Sequence, residues 1–150
     1  MKRWSLLPLL LLIACEGREW RDAETRLAAA TVTIRREGFE PLSGPFNGFG
    51  SFTDSLRNDW RVTLEPATPY VVGIACTAGC WAVRASVRAP DGASVAADTA
   101  ATPVLAFTAT QGGAYTVALS CTCEGKCWWV GQFYERGAGG RLKPGFAGRH

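Results

Sequence analysis

Histidine is almost absent from this sequence of 150 residues, and its one copy, His150, is the last residue. Ser-His-Asp and Cys-His catalysis need a histidine as the base, and ordinary zinc sites use histidine beside cysteine. The sequence also lacks a nucleophile motif and a constellation of paired carboxylates. We therefore expect a protein that is not an enzyme and that holds neither a metal nor another cofactor.

An excess of one charge is absent as well. Without residues 1–14, which include Lys2 and Arg3, the 16 Lys and Arg fall to 14 against 13 Asp and Glu, a net charge of +1. Such a balance provides no basic patch, so nucleic acid is excluded as a partner. The remaining length suits one domain with a core of ordinary size.

The chain begins with an apolar run that is too short for a membrane span. Leu6 to Ile13, interrupted by Pro8, falls well below the roughly 20 apolar residues that cross a bilayer. Two basic residues precede this run, and small residues followed by a polar stretch come after it. A charged start, a short apolar run and a small-residue cleavage site predict an export signal.

The end of that signal, Leu12-Ile13-Ala14-Cys15, resembles the lipobox of bacterial lipoproteins. The resemblance implies that residues 1–14 are a cleaved signal peptide and that Cys15 carries the lipid that anchors the protein in a membrane. Glu16 implies, by the same resemblance, a place in the cell envelope at an outer membrane. In the alternative, the signal is an ordinary secretory one and Cys15 merely lies near the cut.

Residues 15–43 are predicted to tether the domain to the membrane. A short helix is expected over 18–30, which lacks Pro and Gly, while the β-branched residues of 31–34 favour an extended segment. We interpret the region as a spacer; alternatively, it docks on the domain through Trp20 and Leu27. At the other end, residues 137–150 are interpreted as a flexible basic tail.

Residues 44–136 alternate apolar and polar side chains with the period of a β-strand. Inward-facing side chains are expected in four clear runs: Trp60-Val62-Leu64, Tyr70-Val72-Ile74, Trp81-Val83-Ala85-Val87 and Tyr115-Val117-Leu119. Shorter stretches at 46–52, 94–98, 104–108 and 128–135 bring the total to about eight strands. Many short strands separated by Pro- and Gly-rich turns predict an all-β, antiparallel β-sandwich.

An ordered series of short motifs in this region resembles the bacterial pre-peptidase C-terminal (PPC) domain family. The series is Gly50-Ser51-Phe52, Asp59-Trp60-Arg61-Val62-Thr63-Leu64, Thr68-Pro69-Tyr70, Val87-Arg88-Ala89-Pro90-Asp91-Gly92, Phe107-Thr108-Ala109 and Gly112-Gly113-Ala114-Tyr115. The resemblance implies a jelly-roll-like sandwich that accompanies secreted enzymes without catalysis of its own. Some members bind collagen or carbohydrate, and some bind calcium. The Asp-x-Asp of many members is missing from residues 81–86, so calcium is not expected here.

The cysteines are predicted to form disulfides, because an exported chain folds under oxidising conditions. Five remain beside Cys15, and they lie in two loops expected at the same end of the sandwich. We expect two local bridges, Cys76–Cys80 and Cys123–Cys127, with Cys121 as a buried free thiol; Cys121–Cys127 is the rival of the second bridge. A bridge that ties the two loops together, a metal site and a redox role also stay open for these cysteines.

Aromatic residues beside these cysteines form a candidate ligand surface. It comprises Trp81, Trp128, Trp129 and Tyr134. Consecutive tryptophans on a strand point to opposite faces, so one of Trp128 and Trp129 should be at least partly exposed. Exposed aromatic side chains rimmed by polar groups mark sites for sugars or proteins, although these rings could also cap the core.

These observations together favour a non-enzymatic envelope lipoprotein. It would display a β-sandwich as a binding or scaffolding module near the membrane, with a protein or a carbohydrate as its ligand. The alternative function is a redox or metal-handling protein that uses the cysteine cluster.

Overall fold

The protein is described from a computed structural model that covers residues 7–42, 46–52 and 56–136, with side chains for 20–42, 59–124 and 127–136. The start of the predicted signal and the predicted tail, residues 137–150, lie outside this part of the chain. Its elements are α1 (Leu7–Arg36), β1 (Phe39–Pro41), β2 (Phe46–Phe52), β3 (Leu56–Leu64), β4 (Thr68–Cys76), β5 (Val83–Arg88), β6 (Ser94–Ala100), β7 (Val104–Ala109), β8 (Gly113–Cys121) and β9 (Gly125–Arg136).

The strands form two antiparallel sheets packed face to face. The first sheet has five strands, in the order β1-β9-β4-β7, with β2 also paired to β9. The second sheet has four strands, in the order β3-β8-β5-β6. The predicted all-β antiparallel sandwich is thus confirmed, and each of the eight predicted strands has its counterpart among β2 to β9.

The core lies between the sheets, and the alternation of side chains fixes its membership. Its buried residues include Val62, Leu64, Tyr70, Val72, Ile74, Val83, Ala85, Val87, Tyr115, Val117 and Leu119, all inward in the predicted phases. Trp60 is half-buried and packs against the same core. Trp81 is the exception: β5 begins only at Val83, so Trp81 precedes the strand and is 58% exposed.

The outer face of the five-stranded sheet is covered by α1. Trp20, Ala23 and Leu27 pack on Ala75 and Val130, which point outward from β4 and β9. Because α1 covers this face, β4 is buried on both sides from Tyr70 to Cys76. The prediction of a free spacer is therefore wrong for residues 20–36, and the docked alternative through Trp20 and Leu27 is the one observed.

Residues 31–34 continue the helix, which corrects the prediction of an extended segment. Ile34 is buried against Val71 and Tyr134. Thr31 donates its hydroxyl hydrogen bond to the Leu27 carbonyl at 2.9 Å and also contacts the Tyr134 hydroxyl. Burial against the sheet thus outweighs the weak strand preference of β-branched residues. Within the described residues, α1 included, no helix meets the length and hydropathy of a membrane span.

Gly73 on β4 allows the helix to approach the sheet closely. A Cβ at this position would lie 3.2 Å from Leu27 Cδ1 and 3.5 Å from Ile34 Cδ1. The bare backbone at Gly73 therefore forms a groove that the two aliphatic side chains of α1 fill.

Leu27→Ala should weaken this docking by about 2 to 3 kcal/mol, because it removes a buried side chain and leaves a cavity over Gly73. Val32→Ala is the matched control, since Val32 lies on the same helix and is 52% exposed. Its effect should stay within about 0.5 kcal/mol. Amide hydrogen exchange along residues 20–36 measures both values, and equal protection in the two variants would contradict the docking.

Candidate functional site

The two cysteine-bearing loops lie side by side at one end of the sandwich. Residues 77–82 connect β4 to β5, and residues 122–124 connect β8 to β9. Both connections cross from one sheet to the other. Backbone hydrogen bonds join them: Trp81 N to Thr122 O at 3.1 Å, Thr122 N to Ala82 O at 3.3 Å and Glu124 N to Gly79 O at 3.1 Å. We call residues 76–82 and 121–127 together the cysteine tip.

A disulfide between Cys80 and Cys123 crosses the two loops. The predicted local bridges Cys76–Cys80 and Cys123–Cys127 are therefore wrong, while the placement of both loops at the same end is confirmed. The local pairing assumed that each loop closes a hairpin. Since β4 and β5 belong to different sheets, Cys76 stays in its strand, whereas Cys80 faces Cys123 in an isolated antiparallel bridge.

Beneath the disulfide lie three free thiols, those of Cys76, Cys121 and Cys127. Their exposed fractions are 1%, 2% and 0%. Cys121 is a buried free thiol, as its strand phase predicts, but Cys76 and Cys127 are free as well. The alternation of side chains along the strands could have indicated such buried thiols, because Cys76 continues the inward-facing series of Val72 and Ile74.

The sulfur atoms at the tip converge closely. The Sγ atoms of Cys76, Cys121 and Cys127, with that of Cys80, all lie within 4.8 Å of one another. Cys121 Sγ and Cys127 Sγ are 3.4 Å apart. The three thiols come from three different strands, β4, β8 and β9, and therefore from both sheets. Chain proximity alone does not account for their convergence, which depends on the packing of the sandwich.

The thiols differ in acidity because they hydrogen-bond to one another. Hydrogen bonds from Cys127 and Cys76 lower the pKa of Cys121, since they stabilise its thiolate. The pKa of Cys76 is raised, first by its hydrogen bonds to Cys121 and Cys127 and then by burial. The pKa of Cys127 is raised chiefly by its hydrogen bond with Cys121. The hydrogen bonds within the cluster thus stabilise one thiolate at the expense of the other two.

The predicted ligand surface of four aromatic residues is mostly buried. Trp129 is 2% exposed and packs on Trp60 with ring centroids 4.2 Å apart. Tyr134 is 1% exposed beneath α1. Trp128 is the outward member of its pair, but its ring meets Trp20 of the helix edge-on at 5.9 Å. Of the predicted surface, Trp81 is exposed and Trp128 is half-buried, so the prediction that one of the Trp128–Trp129 pair is partly exposed is confirmed.

A shallow groove of about 300 Å³ lies on the outer face of the four-stranded sheet. Its polar lining residues are Arg84, Ser86, Arg88, Asp98, Thr99 and Ser120. The Asp98 carboxylate accepts hydrogen bonds from the backbone N–H groups of Thr99 and Val104 at 2.8 and 3.1 Å. Asp98 thus supports the β6–β7 connection, and the two arginines give the groove its positive charge.

Comparison with protein families and with curated proteins gave no match. Among solved structures, an arabinose-bound α-L-arabinofuranosidase aligns with 65% of this chain at 8% identity and a TM-score of 0.34. The aligned part is 23% of that enzyme's chain. A likeness of this size carries no argument about function.

Proposed function

We propose that the chain is a non-enzymatic envelope lipoprotein that presents its β-sandwich as a binding or scaffolding module at the membrane surface. The lipid would be attached to Cys15, at the end of the lipobox-like segment, and an outer membrane is the favoured location. The observation that supports the anchor is the lipobox-like segment Leu12-Ile13-Ala14-Cys15, and the docking of α1 would make the link between Cys15 and the domain short and stiff.

The helix runs without a break from the Cys15 position to the part that docks. Cys15 and Trp20 are five residues apart, which corresponds to about 7.5 Å along a helix axis. At its docked N-terminal end, α1 contacts the cysteine tip through Asp22, whose carboxylate accepts a hydrogen bond from the Ala78 N–H at 2.8 Å. Beside the tip, Trp20 packs on Trp128. An anchor at Cys15 therefore holds the tip, rather than the opposite end of the sandwich, near the lipid.

This orientation assigns roles to the remaining surfaces. Trp81, exposed at the tip, would lie close to the membrane interface, where the amphipathic ring of tryptophan is favoured. Helix α1 covers the outer face of one sheet. A protein or carbohydrate ligand would then meet the outer face of the other sheet, where Arg84 and Arg88 line the shallow groove.

Cys15→Ser should abolish labelling of the protein by a fatty-acid probe and leave an uncleaved precursor. The reason is chemical, since a serine hydroxyl does not replace the thiol that accepts the lipid. Labelling in cells, followed by gel mobility and membrane fractionation, measures the result.

Cys76→Ser is the matched control for that experiment. It also removes one thiol, but from the domain, so labelling and cleavage should be those of the original chain. Normal labelling of the Cys15→Ser protein would refute lipid attachment at Cys15, and with it the proposed anchor.

A further inference from the structure

The proposed function does not use the three thiols that lie beside the Cys80–Cys123 disulfide. Cys76, Cys121 and Cys127 are buried and unbridged. A single buried cysteine acts as a small apolar side chain and needs no further explanation. Here three cysteines converge from both sheets, and their sulfur atoms lie within 4.8 Å of one another. They form a concentrated set of soft ligand atoms.

The spacing of the sulfurs suits a metal ion at their centre. Metal–sulfur bonds of about 2.3 Å put the sulfurs of a trigonal site about 4 Å apart. The pair Cys121 and Cys127, at 3.4 Å, would have to open by only some tenths of an ångström. The other separations already lie within 4.8 Å. A small movement of side chains, without a change of strand register, would complete the site.

The donor set selects the kind of ion. The cluster contains cysteine alone, with neither histidine nor a carboxylate among its members in the part of the chain described. Zinc seeks four ligands in structural sites, but the fourth nearby sulfur, on Cys80, is bonded to Cys123. The three thiols are also buried, so bulk solvent does not reach them to supply that fourth ligand. Three soft sulfur donors without a fourth ligand favour Cu⁺.

We propose that Cys76, Cys121 and Cys127 form a binding site for one Cu⁺ ion while the Cys80–Cys123 disulfide stays intact. Sulfur–copper bonds replace S–H bonds, and the displaced protons leave to solvent, so the step involves neither oxidation nor reduction. The disulfide and its two loops close the site from the outside. The site lies within the sandwich and does not depend on the lipid anchor.

The test uses the full chain, extracted in detergent without reductant and kept under argon. Cu⁺ is added in competition with a chromophoric Cu⁺ chelator, and the bound metal is counted per chain. The expected result is one Cu⁺ per chain, with thiolate-to-copper charge-transfer absorption in the ultraviolet. Bound Cu⁺ should also protect Cys76, Cys121 and Cys127 from alkylation when the tip is slowly exposed in mild denaturant.

Cys121→Ala and Cys127→Ala should each lower the affinity for Cu⁺ at least tenfold, because each removes one of three ligands. Trp81→Ala, at the surface of the same tip, is the matched control and should keep both stoichiometry and affinity. Circular dichroism shows whether each variant is folded. If a variant does not fold, protection of the three cysteines from alkylation in the unaltered chain still tests the proposal.

Three results would overturn the proposal. The first is loss of all Cu⁺ to the chelator from the unaltered chain. The second is isolation of the chain with a Cys121–Cys127 disulfide in place of the two thiols. The third is stoichiometric binding of Zn²⁺, rather than Cu⁺, by the chain with its Cys80–Cys123 disulfide intact.

Discussion

Trp129→Ala should lower the free energy of unfolding by about 3 to 5 kcal/mol, a large share of the total for a domain of this size. Trp129 is 2% exposed and belongs to the core cluster between the sheets. Its ring packs against Trp60 across that core at 4.2 Å, so truncation leaves a cavity and also removes an aromatic pair. Denaturant titration followed by circular dichroism measures the loss.

Trp81→Ala is the control for that experiment, since it makes the same truncation at a ring that is 58% exposed. Its effect should remain within about 0.5 kcal/mol. If the two variants were destabilised equally, Trp129 could not be the inward member of the Trp128–Trp129 pair, and the placement of β9 would have to be revised.

Removing the disulfide, as Cys80→Ala with Cys123→Ala, should cost about 4 kcal/mol. The bridge joins residues 43 apart in the sequence, so it restricts a long loop in the unfolded chain. A local Cys76–Cys80 bridge would close only about five residues and contribute about 2 kcal/mol on the same entropic argument. The size of the loss therefore reports which cysteines are paired.

Reductant provides the matched control for the double variant. It should destabilise the original chain by the same amount and leave the variant unchanged, because the variant has no bridge to open. A loss below about 1 kcal/mol in the variant, or a further loss on adding reductant, would show that the stabilising bridge lies elsewhere.

The strands could be predicted from the sequence because their signal is local. Alternation in runs such as Tyr115-Val117-Leu119 sets which side chains face the core, and the Pro- and Gly-rich turns set where each strand stops. Trp60 follows its predicted phase, although its ring is half-buried rather than enclosed. The strand content and the antiparallel sandwich follow from these local patterns.

The cysteine pairing could not be predicted because it depends on which sheet each strand joins. Periodicity ends one strand at Cys76 and begins the next at Trp81, two residues before the observed β5, but it does not show that the two strands lie in opposite sheets. Treating the connection as a hairpin led to the local bridges. The phase of Cys121 did place its thiol in the core, since that inference needed only the strand itself.

The docked helix shows a second limit of local patterns. Thr31-Val32-Thr33-Ile34 favours a strand by composition, yet Ile34 is held in α1 by its contacts with Val71 and Tyr134. The same helix buries Tyr134 and covers part of Trp128, which reduces the predicted ligand surface. The sequence offers docking through Trp20 and Leu27 as one alternative, but it does not show which face of the sandwich these side chains cover.

The most direct test of the arrangement at the tip is differential alkylation of the full chain. The protein is denatured without reductant in the presence of a metal chelator, labelled with one alkylating reagent, reduced, and labelled with a second. Cleavage after Arg61, Arg84 and Lys126 separates the five cysteines of the domain into three peptides for mass spectrometry. They carry Cys76 with Cys80, Cys121 with Cys123, and Cys127 alone.

The arrangement described here predicts the first label on Cys76, Cys121 and Cys127 and the second label on Cys80 and Cys123. The second label on Cys76 or Cys127 would contradict it, because either thiol would then have been bridged in the native protein.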